Sequence, residues 1–368
     1  MSTLTVSLPG QDRSYDIVLA DGGRYQLGAY LQEVLPGRRL WVVSDTLVAR
    51  LYGQELVQRL NQEGWQVHLL TVARGERSKS WPAVQRLIQQ LLDQGADRSS
   101  ALVALGGGVI GDLTGFVAAV FMRGIPVVQV PTTLLAMVDA SIGGKTAINI
   151  PAGKNLVGAF HQPSLVLIDP EVLVTLPHQE RLNGLAEVVK MGFILEASLL
   201  TDLTGPARQL LDDRLLQPRE QLLDIIRRAV AGKAQVVAAD EREGNQRRLL
   251  NFGHTLGHAL EKASGFQLKH GEAVAIGMAA ALDLSVTLAG LPAAAAQEGR
   301  ALLTGLGLPT MSPPLPLADI LQALQVDKKK QGDNLIFILL RRWGEAVVHP
   351  AVPLTLVTDW LLNNMRIL

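Results

Sequence analysis

Residues 101–121 read ALVALGGGVIGDLTGFVAAVF, and the fold turns on them. Ala101–Leu105 is a short, unbroken apolar run of the kind that makes a buried strand. Gly106-Gly107-Gly108-Val109-Ile110-Gly111-Asp112 follows at once and opens an apolar helical pattern. Without Cβ atoms the backbone can close on a phosphate, and a helix N-terminus supplies free N–H groups and the positive end of a dipole. The run satisfies G-x-G-x-x-G. It lies on a late strand, however, and lacks the acidic residue about 20 positions on that completes a first-strand dinucleotide fingerprint. A phosphate-binding strand–glycine–helix turn is the functional reading; tight helix packing is the bland one.

The same alternation extends outward from this stretch. Upstream, Leu40–Ser44 and Val67–Val72 read as strands, with helical patterns up to Glu63 and over Trp81–Gln94. Thr3–Leu8 and Tyr15–Ala20 read as a strand pair. Downstream, Pro126–Val130 and Leu165–Ile168 complete the set. Strands alternating with helices predict an α/β domain with a parallel, Rossmann-like sheet. From about Pro177 the pattern becomes helical over Gly184–Leu195, Arg219–Ala239, Gly253–Ala263 and Ala273–Leu288, with a short strand at Leu335–Leu340 as the main exception. The expected division is residues 1–177, an α/β nucleotide-binding domain, and residues 178–368, a mostly α-helical metal- and substrate-binding domain.

Composition narrows the chemistry. The 368 residues carry 34 Lys+Arg against 34 Asp+Glu, a balance that favours neither nucleic acid nor an anionic membrane as partner. There is no cysteine, so disulfides, thiolate metal sites and a cysteine nucleophile are excluded, and any zinc must be held by His and carboxylates. The N-terminus lacks a basic region followed by an apolar run and reads as strand material, not as a signal peptide. The most apolar stretch, Ala273–Ala296, is interrupted by Asp283 and Gly290-Leu291-Pro292 and reads as a buried helix of a globular domain.

Asn251-Phe252-Gly253-His254-Thr255-Leu256-Gly257-His258 places two imidazoles at i and i+4, on one helix face. His270 follows, so three of the seven His fall between 254 and 270, the pattern of a ligand set. Packing is the alternative for the His pair taken alone. A catalytic dication needs about three protein ligands and an open position. Glu187, a lone acid in an apolar helical stretch, is the best candidate for a carboxylate ligand, where an unpaired charge would be costly. Lys190, at i+3, is the competing partner for that carboxylate. Between 123 and 163 the chain is dense in polar groups: Arg123, Thr132, Thr133, Asp139, Lys145, Lys154, Asn155 and His161. Gly143-Gly144-Lys145-Thr146 fails as a Walker loop because Asp139 stands where the first glycine belongs, but lysines beside glycines suit phosphate or carboxylate capture. Lys233, Arg247 and Lys328–Lys330 form a second basic set, the last of which also reads as a solvated charge cluster.

Together these motifs resemble the 3-dehydroquinate synthase family of sugar-phosphate cyclases. The matching stretches are LGGGVIGDLTGFVAAVFMRGIP, VPTTLLAMVDASIGGKTAIN, GKNLVGAFHQP, GLAEVVK, DEREGNQRRLLNFGHTLGHALE and HGEAVAIGM, which span about 100 to 278, with weaker likeness over almost the whole chain. The resemblance implies zinc, or cobalt in its place, on Glu187, His254 and His270. His258 would then be a substrate or proton-relay group and not a ligand. It implies NAD along Asp45, Glu76, Arg77, Ser78, Lys79, Gly107, Gly108, Val109, Ile110, Gly111, Asp112, Thr132, Thr133, Lys145, Lys154, Val172, Leu173, Val174 and Thr175. Substrate phosphate and carboxylate would meet Arg123, Lys145, Asn155, Lys190, Lys233, Arg247, Asn251, His258 and Lys329, with Asp139 near the substrate hydroxyls.

The implied reaction converts 3-deoxy-D-arabino-heptulosonate 7-phosphate, a small phosphorylated sugar acid, in one site. A hydroxyl is transiently oxidised, phosphate is eliminated, the hydride is returned, and the opened ring closes by an intramolecular aldol step, so that NAD ends as it began. A cytoplasmic homodimer is implied by the same likeness. Arg247, Asn251, His258 and Lys329 together favour a carboxylated substrate over sedoheptulose 7-phosphate or glucose 6-phosphate. A net alcohol dehydrogenase and a non-catalytic paralogue are the remaining alternatives. The latter would be expected to lose ligands, and all of them are present. Met191, Asn245-Gln246 and His178-Gln179-Glu180 depart from the usual pattern without removing an assigned ligand or cation.

Overall fold

The computed structural model describes residues 13–204, 219–328 and 334–365. The expected strand Thr3–Leu8 and Lys329 lie outside them. The first part of the chain runs β1 (Asp16–Leu19), α1 (Leu27–Val34), β2 (Arg39–Asp45), the single turn α2 (Thr46–Val48), α3 (Gln54–Gln62), β3 (Gln66–Val72), α4 (Trp81–Asp93), β4 (Ala101–Gly106), α5 (Gly108–Val120), β5 (Val127–Pro131), the hairpin β6 (Lys145–Ile150) and β7 (Gly153–Phe160), then β8 (Leu165–Ile168). Six of these strands form one sheet in the order β1-β8-β5-β4-β2-β3, with every neighbouring pair parallel.

Burial on both faces explains why β2, β4, β5 and β8 were legible as apolar runs, whereas the edge strands β1 and β3 are only partly buried. In β4, Leu102 and Ala104 face α4 and α5, packing with Val84, Leu87 and Leu113. Ala101, Val103 and Leu105 face α1 and α3, packing with Leu27, Leu31, Leu56 and Leu60. Strand order reverses direction between β2 and β4, since β3 lies outside β2 while β5 and β8 continue beyond β4. Ligands of such sheets bind at this switch point, outside the carboxyl ends of the strands.

The rest of the chain is helical: α6 (His178–Ile194), α7 (Ser198–Thr204), α8 (Arg219–Ala239), α9 (His254–Ala263), α10 (His270–Leu288), α11 (Ala293–Gly305), α12 (Leu317–Lys328) and α13 (Leu354–Asn363). The expected strand at Leu335–Leu340 is β9 (Leu335–Arg342), and it has an antiparallel partner, β10 (Glu345–Val352), that the sequence reading missed. Helix α10 is long and apolar enough to cross a membrane, but 72% of its apolar window is buried within the molecule, so it is the core helix expected of that stretch. It packs so closely on α9 that a Cβ at Gly277 would lie 1.8 Å from the Gly253 carbonyl oxygen. Gly253 itself takes φ of +79°, the left-handed conformation that glycine adopts without strain, immediately before the first residue of α9, His254.

Candidate active site

Apart from Lys145 and Lys154, which lie on the antiparallel β6–β7 hairpin, the segments expected to line the nucleotide follow the carboxyl ends of parallel strands, so topology brings them to one edge of the sheet. Asp45 ends β2, Glu76–Lys79 follow β3, Gly107–Asp112 follow β4, Thr132–Thr133 follow β5, and Val172–Thr175 follow β8. The glycine turn is tight: a Cβ at Gly106 would meet Ile110 at 2.7 Å, and one at Gly111 would meet the Gln129 amide at 2.8 Å. Helix α5 begins at Gly108 with no side-chain cap, so its first N–H groups face the turn unblocked. These features fit a phosphate cradle. Asp45 Oδ1 accepts from Leu47 N (2.9 Å) and Val48 N (3.1 Å), which caps α2 and fixes the carboxylate at the switch point. Lys79 Nζ bonds Asp112 Oδ2 at 2.5 Å and also reaches Asn155 Oδ1.

The second half of the site grows from α6, α9 and α10. Glu187, 1% exposed on α6, meets the two helices that carry His254 and His270, each at the first residue of its helix. His270 Nε2 lies 3.3 Å and His254 Nε2 3.6 Å from Glu187 Oε1, and one ligand atom from each residue falls within 4.8 Å of the others. The far side of each ring is already engaged: His254 Nδ1 contacts the Phe252 carbonyl at 3.1 Å, and His270 Nδ1 contacts Glu261 Oε2 at 3.4 Å. Both Nε2 atoms therefore converge on Glu187 Oε1, a buried carboxylate oxygen with no other donor among the described residues. Two imidazoles anchored at Nδ1 plus one carboxylate form a hard-to-borderline donor set that fits zinc or a similar dication.

Glu187 Oε2 contacts Lys190 Nζ, so the expected salt bridge forms through one oxygen while the other faces the imidazoles. Burial would push the Glu187 carboxyl up, but the adjacent Lys190 ammonium and the imidazoles hold it well below the usual range. Burial and Lys190 hold His254 well below its ordinary value. His270 moves the other way. Against the effect of burial, Glu187 and Glu261 push it up to about 10. A dication among these groups would take the place of that proton. His258 stands within reach of the same group, its ring centroid 5.2 Å from that of His254 and 6.1 Å from that of His270. His258 also belongs to a second close cluster with Glu261 and His270.

Around this centre lie the cations. Lys233 Nζ meets both the backbone oxygen and Oδ1 of Asp139 at 2.5 Å, which joins α8 to the segment after β5. Burial holds Lys233 below its ordinary value, while Lys190, equally buried, is raised because Glu187 and Asp139 outweigh desolvation. Lys145 Nζ and Asn251 Nδ2, the latter at 2.9 Å, converge on the carboxylate of Glu243. Arg247 is 2% exposed and donates to the carbonyls of Gly143 (2.9 Å) and Glu241. Lys154 Nζ lies 4.0 Å from Glu261 and over the Phe266 ring. Arg123 stands apart. It is exposed on a turn where Met122, Arg123 and Gly124 all take positive φ, and among the described residues no hydrogen bond or ion pair joins it to the other cations. Sequence reasoning missed Glu243 and Glu261. Glu261 had a signal, since it lies at i+7 from His254 and i+3 from His258 on the same helix. Glu243 lies in the stretch DEREGNQRR among several other charges, and nothing in its spacing singled it out.

The 3-dehydroquinate synthase N-terminal family model matches residues 69–183 and the C-terminal model residues 184–330. A 3-dehydroquinate synthase of Nostoc punctiforme is 45% identical over 98% of this chain and 99% of its own. The chain belongs to the 3-dehydroquinate synthase family. Its activity is the family's, the formation of 3-dehydroquinate. Solved structures agree with the sheet-and-helix architecture of this 3-dehydroquinate synthase family member. A 2-epi-5-epi-valiolone synthase from Streptomyces hygroscopicus subsp. jinggangensis, with NAD+ and Zn2+ bound, superposes with a TM-score of 0.88 at 33% identity, covering 98% of this chain and 99% of that one. A 2-deoxy-scyllo-inosose synthase complexed with carbaglucose-6-phosphate, NAD+ and Co2+ gives 0.84 at 27% identity, covering 96% and 98%.

Proposed function

We propose that the chain is a phosphorus–oxygen lyase that converts 3-deoxy-D-arabino-heptulosonate 7-phosphate to 3-dehydroquinate and inorganic phosphate, using zinc and NAD, within the shikimate route to aromatic amino acids. The observation that carries this reading is the meeting of Glu187, His254 and His270 from three helices, with ligand atoms within 4.8 Å of one another. Glu187, His254 and His270 would hold the zinc, and the strand-end segments from Asp45 to Thr175 would hold the nucleotide. A dication held there would supply polarisation of a substrate hydroxyl, and a nicotinamide would supply a reversible hydride acceptor.

The chain's own residues then divide the remaining work. Lys190 sets a fixed positive charge beside the ligand carboxylate. Lys233 fixes the Asp139 carboxylate, which would meet the substrate hydroxyls. Lys145 and Asn251 already hold a carboxylate, that of Glu243, and would hold the substrate's acidic groups by the same hydrogen bonds, with Arg247 behind them. His258, beside the ligand imidazoles, would move the proton. Family likeness supports a cytoplasmic homodimer as the working form.

The test is to incubate purified protein with zinc, NAD and the heptulosonate phosphate, and to measure phosphate release and the carbocyclic product. His254→Ala should abolish both and strip most of the bound zinc; full activity in that variant overturns the site. Arg247→Ala should raise KM while metal content stays near normal. Steady growth of the reduced-nicotinamide absorbance during turnover would instead mark a net dehydrogenase.

A further inference from the structure

Asn149 occupies an irregular point in the β6–β7 hairpin. Ile148 pairs with Val157 and Ile150 with Gly153, so one residue of β6 opposes the three residues 154–156 of β7. The ladder is broken there, which leaves the Asn149 backbone N–H free to leave the hairpin, and it donates to the Lys79 carbonyl at 2.8 Å. Its side chain makes two further bonds. Nδ2 donates to Glu76 Oε1 at 2.7 Å, and Oδ1 accepts from Asn155 N at 3.0 Å. The neighbours fix the amide's orientation, since a carboxylate can only accept and a backbone N–H can only donate. Asn155 takes φ of +56°, a conformation few side chains tolerate, and its own Oδ1 returns to Lys79 Nζ. The circuit closes: loop 76–79 to Asn149, to Asn155, and back to Lys79.

We propose that Asn149 is a positioning residue that locks the loop 76–79 to the bulge presenting Lys154 and Asn155, so that nucleotide binding and capture of the substrate anion are coupled. The proposal rests on the functional reading above, in which loop 76–79 lines NAD and Asn155 meets substrate. Asn149 has no need to touch either ligand. Its three bonds hold both sets of contacts in one register.

The experiment is a polarity swap, read by calorimetric titration of NAD into the zinc-loaded chain and by steady-state kinetics. Asn149→Asp keeps the acceptor for Asn155 N but sets a carboxylate against Glu76; it should weaken NAD binding and raise the substrate KM, each on the order of tenfold, with kcat nearly unchanged. Glu76→Gln in the same chain supplies a donor to the new carboxylate, and the double variant should recover most of the loss relative to the product of the two single effects. Should Asn149→Asp not fold, Asn149→Ser, which is too short to span both partners and adds no charge, should give the same loss of NAD affinity and rise in KM, with no rescue by Glu76→Gln. Unchanged NAD affinity and KM in the Asn149 variants, or single effects that simply multiply in the double with Asn149→Asp, overturn the coupling while the functional reading stands. A wild-type chain that binds no NAD overturns the functional reading and the coupling with it.

Discussion

At the scale of single residues, the cluster of Glu187, His254 and His270 is held by what stands behind it. Glu261 contacts His270 Nδ1, so it orients the ring and leaves Nε2 facing Glu187. Glu261→Gln should therefore lower zinc affinity by roughly 10- to 100-fold, measured by competition with a chelator of known strength, while the fold persists. An unchanged affinity would mean that the ring is held by packing alone. The convergence of Glu187, His254 and His270 was legible because histidine is scarce in this chain and an isolated acid in an apolar helix demands a partner. Of the other carboxylates, Glu261 could be read only from its spacing to His254 and His258, and Glu243, which holds Lys145 and Asn251, is distinguished only by three-dimensional placement. Lys190 shows where spacing gives a true but partial answer: the i+3 pairing with Glu187 is real, and it coexists with the ligand geometry instead of replacing it.

At the scale of elements, the decisive contact is backbone on backbone between α9 and α10. Adding one methyl group at Gly277 would drive it into the Gly253 carbonyl at 1.8 Å and the Gly257 nitrogen at 3.0 Å. Gly277→Ala should cost about 1–3 kcal/mol or more in a denaturant titration, because overpacking here cannot be relieved by a side-chain rotation. By separating the helices that start at His254 and His270, it should also lower zinc content, and normal zinc binding at reduced stability would show that the helix starts move independently of the crossing. Among the strands, those buried on both faces announced themselves as apolar runs. Strand β7 did not, because GKNLVGAF mixes glycines with residues that stay exposed, such as Leu156 and Phe160. Strand β10 was equally quiet, since its residues are mostly half-exposed and include Pro350.

At the scale of the whole molecule, the ligand atoms of three helices can be bridged only when the helical part is folded. A dication bound there should add stability by mass action. Stripping the metal with a chelator should lower the calorimetric midpoint, and restoring zinc to about 100-fold over its dissociation constant should return about 2.7 kcal/mol. A midpoint indifferent to zinc would separate these residues from any ion. The overall architecture was legible because a parallel sheet and a helical half differ in period, whereas the approach of the two was not, since it depends on contacts such as Lys233 with Asp139 that no local pattern records. None of the three ligand residues comes from the six-stranded sheet, and none of the strand-end segments comes from α6, α9 or α10. Zinc content should therefore survive removal of the nucleotide, and nucleotide affinity should survive chelation of the metal, which separate titrations of the two half-loaded proteins would check.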